Sequence, residues 1–137
     1  MRWLIGISVV VLLGYTLSWA LFAPFKVIEA DGVRFSFYEE SDFDVWSSVY
    51  VKVANGFFSS RHILVGGYNV NDNFDKNSYR VLQLPGTQVF RFTVHSGHTV
   101  VIVDLDNDRV YDHESAVQFE YKGKNYTELH WIDLELN

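Results

Sequence analysis

The sequence predicts an all-β fold: an N-terminal single transmembrane helix followed by an antiparallel β-sandwich. Three observations carry that expectation. Residues 3–25 run without a charge. After residue 26, apolar and polar residues alternate with period two in short runs. Asn-Gly, Pro-Gly and Ser-Gly pairs punctuate those runs, as turns between strands do. A small β-barrel is the alternative closure of the same strands.

Residues 1–25 read as a transmembrane signal-anchor helix, because about 20 apolar residues cross the hydrocarbon core. Trp3 and Trp19 lie roughly 24 Å apart along such a helix, near its two interfaces. Pro24 marks the exit and Lys26 is the first charge beyond it. With Arg2 and the α-amine on one side and Lys26, Glu29 and Asp31 on the other, the positive-inside bias favours a cytoplasmic N-terminus. Residues 26–137 are then periplasmic or extracellular. The rival reading is a cleaved signal peptide ending at Ala20 or Ala23, which also exports the domain. Gly6, Gly14 and Ser18 share a face and form a small-residue stripe for helix packing; ordinary lipid-facing content is the alternative.

The first clear strand spans Val33 to Tyr38. Val45 to Ala54 places Val49, Val51 and Val53 on one face, and Asn55-Gly56 turns the chain into a strand from Phe57 to Val65. Gly66-Gly67 and the polar stretch 69–77 read as loop. Tyr79 to Leu84 precedes Pro85-Gly86, which fits the centre of a type II turn. Thr87 to His95 sets Phe90, Phe92 and Val94 against Arg91 and Thr93. Thr99 to Leu105 is apolar on both faces, as a buried central strand is. A short strand at Arg109–Tyr111 follows, and Ala116–Tyr121 pairs with Asn125–Trp131 across Lys122-Gly123-Lys124. No stretch after residue 26 shows helical periodicity.

Composition narrows the function. The chain has 137 residues and net charge −6. All 17 acidic residues lie after the apolar segment, and only Arg2 among the bases lies before it, so the domain stands at −7. Such a surface repels phosphate backbones and excludes nucleic acid as the expected partner. The absence of cysteine excludes disulfides, thiolate catalysis and Cys-ligated metals. No Gly-x-Ser-x-Gly elbow, phosphate loop, HExxH or dinucleotide fingerprint is present, and the expectation is a non-enzymatic protein without a cofactor.

Three constellations stand out. Asp104, Asp106, Asp108 and Asp112 sit at relative positions 1, 3, 5 and 9, a spacing that resembles EF-hand and dockerin calcium loops. Arg109 occupies the position where those loops carry glycine, and Ser115, one place after Glu114, stands where they carry a bidentate glutamate. The competing reading is a hairpin turn whose Asp and Asn side chains bond their own backbone. The acidic run Glu39, Glu40, Asp42, Asp44 surrounds Phe43 and leads into Trp46. The loop with Asn73, Phe74 and Asp75 has the same mixture of oxygens and an aromatic. Asp42, Phe43, Asp44, Trp46, Asn73, Phe74 and Asp75 are therefore the candidate protein contacts, since interface cores favour aromatics. His95 and His98 flank a turn and, with His113, offer a zinc or copper set.

The expected function is a membrane-anchored accessory protein, held in the bilayer through residues 3–25, whose exported domain binds another protein of an envelope complex. The alternatives are an immunity-type inhibitor of a basic toxin or hydrolase, a calcium- or carbohydrate-binding module, and an enzyme whose site is assembled from separate strands.

Overall fold

The structure is a computed structural model. It describes residues 2–21, 23–41, 45–56, 60–94 and 98–136, with the side chains of 2–5, 16–21 and 98–100 outside that description. Helix α1 (Arg2–Leu21) precedes four strands, β1 (Lys26–Ala30), β2 (Val33–Ser41), β3 (Trp46–Asn55) and β4 (Ser60–Asn69). A 3-10 turn (Lys76–Ser78) leads to β5 (Arg80–Gln83), β6 (Val89–Val94), β7 (His98–Asp104) and β8 (Arg109–Tyr111). A single helical turn, α2 (His113–Ala116), precedes the short strands β9 (Glu120–Tyr121), β10 (Lys124–Asn125) and β11 (Ile132–Asp133).

The fold is mostly β and wholly antiparallel among the described strands, with open sheet edges and no closed barrel. The first sheet is the meander β1-β2-β3-β4; the second has the order β11-β5-β6-β7-β8; β9 and β10 form a separate hairpin. Neighbours in sequence are neighbours in space because short turns join them. Asp31 and Gly32 turn β1 into β2 with φ of 49° and 76°, a pair of left-handed values that suits the twist of a tight hairpin. This Asp-Gly hairpin and β1 itself go beyond the sequence reading, which starts at Val33. Pro85-Gly86 forms the expected turn: Gly86 has φ of 72°, and Thr87 N donates to the Leu84 carbonyl at 3.2 Å.

Alternation puts one face of each sheet into a shared core. Phe35 and Phe37 of β2, Val49, Val51 and Val53 of β3, and Ile63 and Val65 of β4 come from the first sheet; Val81, Phe90, Phe92, Val101 and Val103 come from the second. The two groups meet through aromatic edges. Phe35 lies 4.7 Å from Phe90 and 5.7 Å from Phe92, centroid to centroid, and Phe37 lies 6.0 Å from Phe92. Polar ties close the rim: Gln83 Nε2 donates to Asp31 Oδ2 at 2.6 Å, and Arg61 of β4 pairs with Asp108 in the β7–β8 turn. Lys26 Nζ donates to the carbonyls of Asn77 and Tyr79 and pairs with Glu135 at 2.7 Å.

The other face of the second sheet is also covered. Leu84, Val89 and Ile102 pack with Ala116 and Phe119, under the partly buried Tyr111, Tyr126 and Trp131. Residues 101–103 are thus buried on both sides, as their apolar run implies. Arg91 lies under this layer with its guanidinium 5.1 Å from the Trp131 ring.

Three expectations are corrected here. The strand after Asn55-Gly56 runs on through Gly66-Gly67 to Asn69, with a bulge opposite Val49 and Tyr50, so the Gly-Gly pair is strand and not loop. Residues 116–121 and 125–131 do not form a long hairpin. Asp112 caps α2 by accepting from Ser115 N at 2.9 Å, and only two residue pairs of β9 and β10 remain. The third concerns the membrane. Among the described residues no helix is long and apolar enough to cross one. The single-pass membrane anchor expected at residues 1–25 is therefore not supported. Gly6 and Gly14 of the expected packing stripe face open space, and the side chain of Ser18 lies outside the described residues.

Phe35→Ala tests the seam between the sheets. It removes a fully buried ring that contacts two others across the core. The expected loss is about 3–5 kcal/mol in urea unfolding; a loss under about 1 kcal/mol would mean that the sheets do not depend on that contact.

Candidate functional site

The two stretches that the sequence marks for protein contact converge at one end of the first sheet. Trp46 opens β3 and pairs with Asn69, the last residue of β4, so the loop after β4 starts beside the indole. Trp46, Tyr68, Phe74 and Tyr79 line an open pocket of about 490 Å³, with Asn69, Asp72 and Asn73 on its polar side. The volume falls within the usual range for ligand pockets. Asp75 is not part of the lining. Its Oδ1 accepts from Asn77 N at 2.9 Å and caps the 3-10 turn that shapes the loop. Asp42, Phe43 and Asp44 lie outside the described residues.

The pocket is built from backbone outward. Gly66 and Gly67 form its floor because side chains already occupy the space above them. A Cβ at Gly67 would stand 2.6 Å from Trp46 Nε1 and 2.9 Å from the Ser47 carbonyl oxygen. One at Gly66 would stand 2.6 Å from the Tyr79 hydroxyl. Tyr79 is 2% exposed and ties the pocket to the core, 6.1 Å from Phe37 and 5.9 Å from Phe74. Phe74 stacks on Tyr68 at 4.7 Å. Trp46 remains 48% exposed, a large aromatic surface left to solvent.

A polar clamp stands behind Tyr68. Glu39 of β2 accepts from the Tyr68 hydroxyl and, at 2.9 Å, from Ser47 Oγ, while its other oxygen pairs with Lys76 Nζ at 2.7 Å. Ser41 and Ser47 share a hydrogen bond of 2.8 Å. Partial burial alone pushes the Glu39 carboxyl up, but the bonds from Lys76, Tyr68 and Ser47 together outweigh it and hold the pKa below the usual glutamate value. Burial, with the Glu39 carboxylate next to it, pushes the Tyr68 phenol up. Burial, with Tyr68 adding, pushes Tyr79 up to about 12. These directions favour the carboxylate at Glu39 and the neutral phenol at Tyr68 and Tyr79. Through Lys76 the clamp ties the loop after β4 to β2.

Sequence reasoning named Trp46, Asn73 and Phe74 but missed Tyr68, Tyr79 and the role of Glu39. The available signal was Gly66-Gly67 directly before Tyr68, since adjacent glycines in a strand mark close approach by other groups.

The four carboxylates of the calcium-like loop do not converge. Asp104 is buried and accepts from Asn107 N and Nδ2 at 3.0 and 2.8 Å; Asp106 accepts from Gln88 N at 3.0 Å. Asp108 pairs with Arg61, and Asp112 caps α2, its pKa lowered mainly by the Ser115 amide. The four side chains serve four different partners, and only Asp104 bonds within its own turn. Among the described residues no three His, Asp or Glu side chains come together to hold a metal. His95 and the side chain of His98 lie outside the described residues.

Two outcomes test the site. Gly67→Ala forces the indole off its floor or shifts the Ser47 backbone, at an expected cost of about 1–3 kcal/mol. A moved Trp46 indole resonance in ¹H–¹⁵N spectra is the check, and an unmoved one would contradict the close approach. Because the folded pKa of Glu39 is depressed, its stabilisation is complete above the unfolded value of about 4.3 and is lost as pH falls through the folded value. Glu39→Gln should therefore lower Tm at pH 7, with the gap to wild type narrowing below about pH 4.

No family model matches the chain, and no curated protein and no solved structure matches it.

Proposed function

We propose that residues 26–137 form a two-layer β-sandwich that serves as a non-enzymatic protein-binding module, with the Trp46–Tyr68–Phe74–Tyr79 pocket as its docking site. The observation that carries this reading is the half-exposed Trp46, laid on a glycine floor beside a clamped loop. A solvent-facing indole at a preformed pocket is an anchor in waiting, because Trp and Tyr dominate the energetics of protein interfaces. The clamp supports the reading a second way. A loop already fixed by Glu39 and Lys76 loses little entropy on binding, so contacts made there convert to affinity efficiently. A carboxylate at Glu39 and neutral phenols at Tyr68 and Tyr79 suit recognition better than proton transfer.

The test is site-specific photo-crosslinking in producing cells. A photoreactive residue at Asn73, on the pocket rim, should give one discrete protein adduct. The same residue at Val117, exposed on the far layer, should not. Adding Trp46→Ala should abolish the Asn73 adduct. Equal labelling from both positions, or none from Asn73, would defeat the proposal.

A further inference from the structure

We infer that the pocket receives a cationic side chain, a lysine or arginine of a basic partner protein; this rests on the docking reading above. The pocket combines aromatic faces with a carboxylate that nothing else uses. Among the described residues, Asp72 is the aspartate whose side chain accepts no hydrogen bond and joins no ion pair. Every other described aspartate is engaged: Asp31 by Gln83, Asp75 by Asn77, Asp104 by Asn107, Asp106 by Gln88, Asp108 by Arg61, Asp112 by Ser115 and Asp133 by Arg80.

No Lys, Arg or His belongs to the lining, so the negative charge of Asp72 is uncompensated there. The nearest cation in the loop, Lys76, is committed to Glu39 at 2.7 Å and stands 5.0 Å over the Phe25 ring. The fold thus already uses an ammonium between a carboxylate and an aromatic face two residues beyond Phe74 of the pocket. The pocket offers the same combination to an outside cation. The half-exposed indole of Trp46 attracts an ammonium or guanidinium, and the alkyl stem of the same side chain covers the apolar surface beside it. A chain of net charge −6 also steers basic partners toward itself over longer range.

The experiment is an NMR titration of the full chain with two peptides, acetyl-Gly-Ser-Lys-Ser-Gly-amide and its norleucine counterpart, at low and at 0.5 M salt. The lysine peptide should shift the Trp46 indole and the residue 72–74 amides. Its binding should weaken by about fivefold to tenfold with Asp72→Asn, and again at high salt. Glu128→Gln, which removes an exposed charge elsewhere, should leave it unchanged. If the norleucine peptide shifts the same residues equally, the pocket is an apolar docking site and the cation inference falls while the docking reading stands. If Glu128→Gln weakens binding as much as Asp72→Asn, the attraction is a general charge effect and the inference falls. If neither peptide shifts the pocket, the inference falls, and the crosslinking result alone decides the docking reading.

Discussion

The contact between Phe35 and Phe37 of β2 and Phe90 and Phe92 of β6 is the constraint on which the rest of the structure depends. Strand pairing within a sheet satisfies backbone groups, but it does nothing to hold one sheet against another. That task falls to side chains, and here it falls mainly to four phenylalanines in edge-to-face array, a geometry that aromatic pairs favour. The polar ties at the rim, Gln83 to Asp31 and Arg61 to Asp108, are partly exposed and worth less. They fix the register in which the sheets meet, and the phenylalanines supply the burial.

The candidate site is the end of that aromatic seam. From Phe92 the contacts run to Phe37, then Tyr79, Phe74 and Tyr68, without a break from the centre of the core to the solvent. A pocket wall continuous with a packed core inherits its rigidity, because close-packed side chains have few alternative rotamers. Glu39 and Lys76 hold the solvent end as Tyr79 holds the buried end. The pocket is therefore preformed by the same packing that stabilises the fold.

Much of the strand pattern was legible in the sequence, and the reason is local. Val49, Val51 and Val53 alternate with polar neighbours, and Pro85-Gly86 can adopt few other turns. What alternation cannot reveal is which face water reaches. Arg91 and Thr93 alternate with Phe90 and Phe92, but the pattern does not say that Thr93 is buried and that Arg91 lies under Trp131, forty residues on. The pairing of β11 with β5 is likewise fixed by contacts fifty residues apart. The apolar content of residues 3–25 made the membrane reading attractive, because hydropathy is a property of a segment; among the described residues no helix is long and apolar enough to support it. At the site, Trp46, Asn73 and Phe74 were visible as aromatics and amides in polar surroundings. Tyr68 and Tyr79 were not, since their role comes from where Gly66 and Gly67 leave room.

The two acid-rich loops show why residue type alone misleads. The Asp104–Asp112 loop has the denser carboxylates, but each is consumed by the turn, the cap or the sheet-to-sheet tie that it makes. The loop at 69–77 has fewer, and its structural needs are met by Asp75, Asn69 and the Glu39–Lys76 pair, since Asn69 Oδ1 accepts from Asn71 N and Asp75 caps the turn. Asp72 and the indole of Trp46 are left over. Surplus polarity beside surplus aromatic surface has no structural account in this fold. An exposed aromatic on a rigid floor also adds aggregation risk without adding core. The half-exposed indole and the unengaged Asp72 distinguish this loop from the one with more carboxylates, and they are the physical ground on which the docking site is proposed there.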